Sequence, residues 1–161
     1  MNTEFRKAVL PAEIRSLVIF DHKAFHEYPA DWFRRDDWNT CEPWWMIVDH
    51  RKVGCCAFEH HVDFGNDSPG RGCNPSRRGS LYIVTTGILP EFQRLVLGTL
   101  LKNWQVAYAR FHGFTRIVTN TRKRNRPMIR LNEKFGFKAI RTTPDYYQSP
   151  REPTVVMELL L

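Results

Sequence analysis

The chain has 161 residues and carries 24 Lys and Arg against 17 Asp and Glu, a net charge of +7, with 42% hydrophobic residues. That length can bury one substantial core and fits a single domain over 1–161, while no apolar run is long enough to cross a bilayer, so a membrane protein is not expected. The charged opening MNTEFRKAVLPAE lacks the apolar block of a secretory signal, which makes the expected setting cytoplasmic. The basic balance, with a pI near 9.5, calls for an acidic partner: a nucleic acid, an acidic protein or a polyphosphate cofactor.

In chain order, residues 5–9 predict a short strand, and residues 10–27 have the apolar spacing of a helix with Pro11 near its start. Residues 28–38 mix aromatic and charged side chains and predict a second short helix from about Ala30. Residues 44–49 and 53–64 predict a hairpin of two strands, and 65–79 form a polar connection rich in Gly and Pro. A strand over 80–89 is ended by Pro90. From Pro90 to His112 the residues Leu97, Leu100, Leu101, Trp104, Tyr108 and Phe111 recur at helical spacing, and Gly113 stops the helix. A strand over 115–121 leads to a helix over 125–135, capped by Asn125 and ended by Gly136. Residues 137–143 and 154–161 predict two final strands joined by a connection from Pro144 to Pro153. The pattern predicts an α/β (α+β) domain, a mixed sheet with helices on its faces and both antiparallel and parallel pairings.

Cys41, Cys55, Cys56 and Cys73 have no Cys-x-x-Cys spacing, and adjacent strand residues point to opposite faces, so no metal site is expected. They read as reduced thiols in the core.

The stretch LPEFQRLVLGTLL, residues 89–101, hands a strand to a helix through a tight turn. Such a turn aims unpaired N–H groups and the positive end of the helix dipole at one spot, which suits phosphate. Gln93, Arg94 and Thr99 would add side-chain donors; an ordinary strand-to-helix connection is the plain alternative. Two motifs then resemble the GNAT superfamily of acyl-CoA-dependent N-acetyltransferases. The first is a proline-containing turn followed by Gln93-Arg94-Leu95-Val96-Leu97-Gly98, where the family has Q/R-x-x-G-x-G/A. The second is Asn125 followed, after a helix, by Gly136-Phe137. The resemblance spans most of residues 5–161. It implies a mostly antiparallel sheet of six or seven strands with about four helices.

It also implies acetyl-CoA as co-substrate. Coenzyme A would lie against Gln93, Arg94, Leu95, Val96, Leu97, Gly98 and Thr99, with Asn125 nearby, and Gly87, Ile88 and Leu89 would offer strand backbone to the pantetheine arm. Val96 stands where the family has its first glycine; being β-branched it resists positive φ, so the turn must use an ordinary backbone conformation there.

Proton handling departs from the family. Asn132 occupies the position of the usual general-acid tyrosine, which leaves Tyr146 and Tyr147, in the connection between the last two strands, as candidates. These two, in IRTTPDYY, and the closing VVMEL are similar to relatives that acetylate protein N-termini, including the ribosomal-protein alanine acetyltransferase group. For the base, Glu59, His61 and Asp63 alternate along a strand and share one face, whereas Phe58, His60 and Val62 share the other. A histidine beside a carboxylate would take a proton from an ammonium directly or through water; a solvated polar strand face is the plain alternative.

The basic run 121–126, TRKRNR, would neutralise coenzyme A phosphates or lie in a solvated loop; nucleic acid is the less favoured partner because aromatic side chains are not interleaved. Tyr28, Trp32, Phe33, Trp38, Trp44 and Trp45 belong mostly to the core, with Asp36 or Asp37 placed to attract a cationic amine. The expected activity is transfer of an acetyl group from acetyl-CoA to an amine by direct attack in a ternary complex. The acceptor would be a peptide N-terminus, a lysine or a small amine, and the enzyme a monomer or homodimer. The rival is a non-catalytic acyl-CoA-binding or nucleic-acid-docking domain on the same fold.

Overall fold

In the computed structural model, described for residues 1–60, 79–93 and 96–161, seven strands form one sheet in the order β1-β2-β3-β4-β5-β7-β6. The strands are β1 (Thr3–Lys7), β2 (Glu42–Val48), β3 (Arg51–His60), β4 (Ser80–Ile88), β5 (Arg116–Arg122), β6 (Lys138–Tyr147) and β7 (Glu152–Leu160). Every neighbouring pair is antiparallel except β4 and β5, which run parallel. The parallel pair needs a crossover, and α2 (Leu97–Phe111) supplies it. This is the mixed, mostly antiparallel sheet the motifs implied. The helices on its faces are α1 (Ile14–Ala24), α2 and α3 (Arg126–Lys134).

Two apolar clusters fix which face is which. Ile14, Leu17 and Phe20 of α1 pack with Trp38, Trp45, Cys55 and Ala57 on one side of the sheet. Leu97, Leu101, Tyr108 and Ala109 of α2 pack with Cys56, Phe58, Leu81, Ile83 and Ile117 on the other. Alternation along β3 therefore sends Cys55 and Cys56 to opposite faces, both buried and both free thiols.

Several expected boundaries shift. The span 28–38 folds as two 3-10 turns, Pro29–Asp31 and Arg35–Thr40, rather than one helix. It lacks an apolar stripe, and Asp37 Oδ2 is engaged by the Arg34 N–H at 2.7 Å. Asp37 thus caps its own turn instead of facing outward for an amine. The helix expected from Pro90 begins at Leu97, because Pro90–Phe92 is a separate 3-10 turn. Phe111 closes the predicted apolar spacing yet is 86% exposed. The supposed connection 144–153 is largely strand: β6 runs through Pro144 to Tyr147. Proline is tolerated there because β6 is an edge strand and its register with β7 breaks between Thr143 and Tyr147. Of the second hairpin strand, residues 61–64 lie outside the described residues, as does most of the connection after it.

One irregularity in the sheet positions the candidate site. Ala57 faces Thr85 but Phe58 faces Ile83, so Val84 is an extra residue in β4, a β-bulge. At the same level the β4–β5 ladder ends. It runs from Ser80↔Arg116 to Ile83↔Thr119 and no further, while β4 stays paired to β3 up to Ile88 and β5 stays paired to β7 up to Arg122. The two strands fork, and the Thr119 hydroxyl closes the crotch by donating to the Ile83 carbonyl at 3.2 Å.

Candidate active site and cofactor cleft

Beyond the bulge, the side of β4 from Val84 to Ile88 that faces β5 has no ladder partner. Buried backbone cannot stay unsatisfied, so this edge is built to pair with something extended. Gly87 and Ile88 lie on it, and Leu89 just beyond donates its N–H to the Val53 carbonyl at 2.9 Å. Gly87 is glycine for a reason of packing: a Cβ there would stand 3.1 Å from two ring atoms of Phe25 and 3.2 Å from Ala24 Cβ. The end of α1 thus crosses directly over the fork.

The mouth of the fork is the N-terminus of α2. Val96, its N-cap, has φ −68° and ψ 3°, the ordinary conformation its β-branch demands, and its side chain is exposed. No side chain among the described residues caps this end. The N–H groups of Leu97, Gly98 and Thr99 therefore have no intrahelical acceptor and carry the positive end of the helix dipole. Among the described residues a Cβ on Gly98 would meet only Leu131 Cδ2, at 3.7 Å, so the backbone is open to close approach. Gln93 is committed elsewhere. Its N–H donates to Pro90 O at 3.2 Å and its side-chain Nε2 to Ile88 O at 3.0 Å, which ties the turn back to the end of β4. Arg94 and Leu95 lie outside the described residues. Asn125 is the N-cap of α3, accepting the Met128 N–H at 3.3 Å. An unpaired strand edge leading to an uncapped helix end fits an extended amide chain with a diphosphate at one terminus.

On the α1 face a polar row crosses the fork. Glu59 on β3 is the register partner of Tyr82 on β4. The Tyr82 hydroxyl donates to Asn120 Oδ1 on β5. Asn120 Nδ2 donates to the Tyr147 hydroxyl at 3.2 Å and to Thr154 Oγ1 at 3.1 Å. Tyr146 stands edge-on to Tyr147, ring centroids 4.9 Å apart, and is 53% exposed. Burial pushes the Tyr82 and Tyr147 phenols up, so both hold their protons at neutral pH, and burial also raises the Glu59 carboxyl. Of the predicted candidates, the structure brings Glu59 and Tyr147 to one face, with Tyr146 beside them at the end of β6; His61 and Asp63 lie outside the described residues. Tyr82 and Asn120 were missed: each is followed or preceded two residues away by a valine, Val84 and Val118, so neither strand shows a polar stripe.

Arg122 changes role altogether. Placed by sequence in a basic run facing phosphate or solvent, it is buried and holds Asp31 with two hydrogen bonds of 2.8 Å and Glu152 with one of 2.8 Å. It also donates to the Pro150 and Gln148 carbonyls. Its guanidinium lies 4.3 Å from the Tyr28 ring centroid and 4.5 Å from that of Tyr147. Hydrogen bonds across β5, the β6–β7 turn and the Asp31 turn thereby fix Tyr147 over the fork.

A forked sheet with a backbone cleft on one side and a polar row on the other defines an α/β group-transfer fold. Residues 12–137 match the Acetyltransferase (GNAT) family, and the chain belongs to it. An uncharacterised N-acetyltransferase of Schizosaccharomyces pombe is 36% identical over 107 residues, 66% of this chain and 55% of that protein. N-alpha-acetyltransferase 50 of Danio rerio is 35% identical over 69 residues, 42% of this chain and 41% of that protein. The chain therefore spans about half the length of the curated relatives it matches. Arabidopsis thaliana NAA60, solved with acetyl-CoA, shares the fold with a TM-score of 0.78 at 15% identity, covering 99% of each chain.

Proposed function

We propose that the protein is an acetyl-CoA-dependent N-acetyltransferase acting on an α-amino group of a peptide by direct attack. The observation that carries this reading is the fork between β4 and β5 opening onto the uncapped N-terminus of α2. Leu97, Gly98 and Thr99 would hold the diphosphate through their N–H groups, with Val96 at the rim, and the backbone of Gly87 and Ile88 would hold the pantetheine amides. Bound there, acetyl-CoA supplies an activated acyl carbon to the floor of the polar row. Glu59 takes the proton of the acceptor ammonium, directly or through water, and Tyr82, Asn120 and Tyr147 orient the neutral amine. His61 and Tyr146 remain candidates for that same acceptor side. The α-amino acceptor is supported by the N-alpha-acetyltransferase among the relatives. A cytoplasmic monomer or homodimer is part of the reading.

A second reading, a non-catalytic acyl-CoA-binding domain, draws on Asn132, buried where the family carries a general-acid tyrosine. Calorimetry with acetyl-CoA and thiol release across a panel of peptides with different N-termini separate the two. The enzyme reading expects turnover on at least one peptide and, in Glu59→Gln, loss of the acid limb of the rate profile. Coenzyme A binding without turnover supports the second reading, and no binding at all overturns both.

A further inference from the structure

On the face of the fork opposite the polar row, three polar side chains sit where an apolar helix stripe is normal. Lys102 and Gln105 lie three apart on the inner side of α2 and are 1% and 0% exposed; Asn132 on α3 is 0% exposed. Gln105 Nε2 donates to Thr86 Oγ1 at 2.9 Å, but its Oε1 has no partner among the described residues. Among the described residues Asn132 Nδ2 reaches only Met157 Sδ, at 3.6 Å, and its Oδ1 has no partner. The Lys102 ammonium stands 5.3 Å from the Phe137 ring centroid, with no carboxylate among the described residues in ion-pair contact. A buried cation and two buried acceptors without partners cost free energy for no gain to the fold, unless a ligand completes them.

Their place identifies the ligand. Thr86 belongs to the part of β4 that has lost its β5 partner, and its register partner is Cys56 on β3. Gln105 is fixed to Thr86 from α2, and Lys102 is one turn nearer the open helix end. Gln105 and Lys102 therefore lie on the α2 face of the unpaired strand edge, on the side from which an extended chain running from the α2 N-terminus would enter; Asn132 faces the same side of the sheet, over Met157 of β7.

We propose that Lys102 is the acid that protonates the departing thiolate of coenzyme A, in place of the tyrosine that Asn132 replaces. The inference rests on the acetyl-CoA reading above. The acceptor nitrogen attacks the thioester carbon from the polar-row face, forming the C–N bond. The C–S bond then breaks, its electron pair passes to sulfur, and one Nζ proton of Lys102 follows to give the free thiol. Proton loss from the acetylated nitrogen to Glu59 and solvent balances the step, and solvent restores the ammonium. Nucleophile and leaving group are thereby served from opposite faces of the sheet.

The groups facing Lys102 leave the proton on it at neutral pH. These are the Phe137 ring and, from β3, the Cys56 thiol, pushed up to about 12 by burial and so uncharged; the polar side chains on the same side of the sheet, Thr86 on β4, Gln105 on α2 and Asn132 on α3, do not titrate. Glu42 on β2 is engaged by the Trp44 indole and the Tyr108 hydroxyl.

The test uses the full chain and free coenzyme A, following the ultraviolet absorbance of the bound thiolate against pH, with affinity by calorimetry and folding by thermal melting. An ammonium beside sulfur should favour the bound thiolate about tenfold or more over the free cofactor. In Lys102→Met and Lys102→Gln that advantage should vanish while coenzyme A still binds through its phosphates. Identical thiol titration in wild type and both folded variants, with binding retained, overturns the proposal and leaves the acetyltransferase reading intact. Failure of wild type to bind coenzyme A removes both.

Discussion

Replacing Lys102 with methionine should stabilise the protein at neutral pH, and the size of the effect follows from its surroundings. Methionine keeps the unbranched stem and removes the buried charge. Burial lowers the Lys102 ammonium from its ordinary 10.5 to about 8, only partly opposed by the Cys56 thiol. At 1.36 kcal/mol for each tenfold step, that difference corresponds to a cost of about 3 kcal/mol for holding the charged form in the fold. The unfolded chain keeps this proton up to about 10.5, whereas the folded chain releases it above about 8. Between those values the unfolded state binds more protons, so the stability of the wild type rises with pH; below about 8 the whole cost is present. Urea denaturation of both proteins from neutral to alkaline pH isolates the effect, because every other titrating group is common to both. Lys102→Met should lead by about 3 kcal/mol at pH 7, and the lead should shrink through the window above pH 8. A difference that stays constant with pH, or a methionine variant less stable at pH 7, would show that the charge is not the source of the cost.

Arg122→Met frees Asp31 and removes one of the two guanidiniums on buried Glu152, which keeps Arg124 at 3.2 Å; the loss should therefore stay below the roughly 3–5 kcal/mol of a buried charge left wholly unpaired, read by denaturation, and acceptor turnover should fall as Tyr147 loses its anchor. Gly87→Ala drives a Cβ to 3.1 Å from the Phe25 ring, an overpacking worth about 1–3 kcal/mol that should appear as a lower melting temperature. Glu13 is held well below the usual carboxylate range, first by the Arg6 hydrogen bonds and then, against some burial, by the Val9 N–H and Lys52. Its contribution is present above the unfolded value and is lost as pH falls, so Glu13→Gln should cost stability at neutral pH and flatten the acid side of the stability profile.

The fold was legible wherever local chemistry was strong. Pro90 ended a strand, Asn125 capped a helix and Gly136 terminated it, and period-two apolar runs marked the central strands; each of these is decided within a few residues. What the sequence concealed was decided at long range. Pro144 reads as a break, but it lies on an edge strand where the missing N–H costs no ladder bond, so β6 carries Tyr146 and Tyr147 to the fork as strand residues. Arg122 reads as one of a basic cluster, and only the return of the chain at Asp31 and Glu152 turns it inward. Lys102 and Gln105 carried a usable signal, since the stripe of Leu97, Leu101 and Tyr108 puts both on the buried side of α2, yet a polar residue there reads as noise until its neighbours are known. Asn132 is the instructive position. The missing tyrosine reads as a loss of function while the residue is considered alone; with a buried Lys102 on α2, on the same side of the sheet, the proposed proton donor comes from a neighbouring helix and the tyrosine is not required.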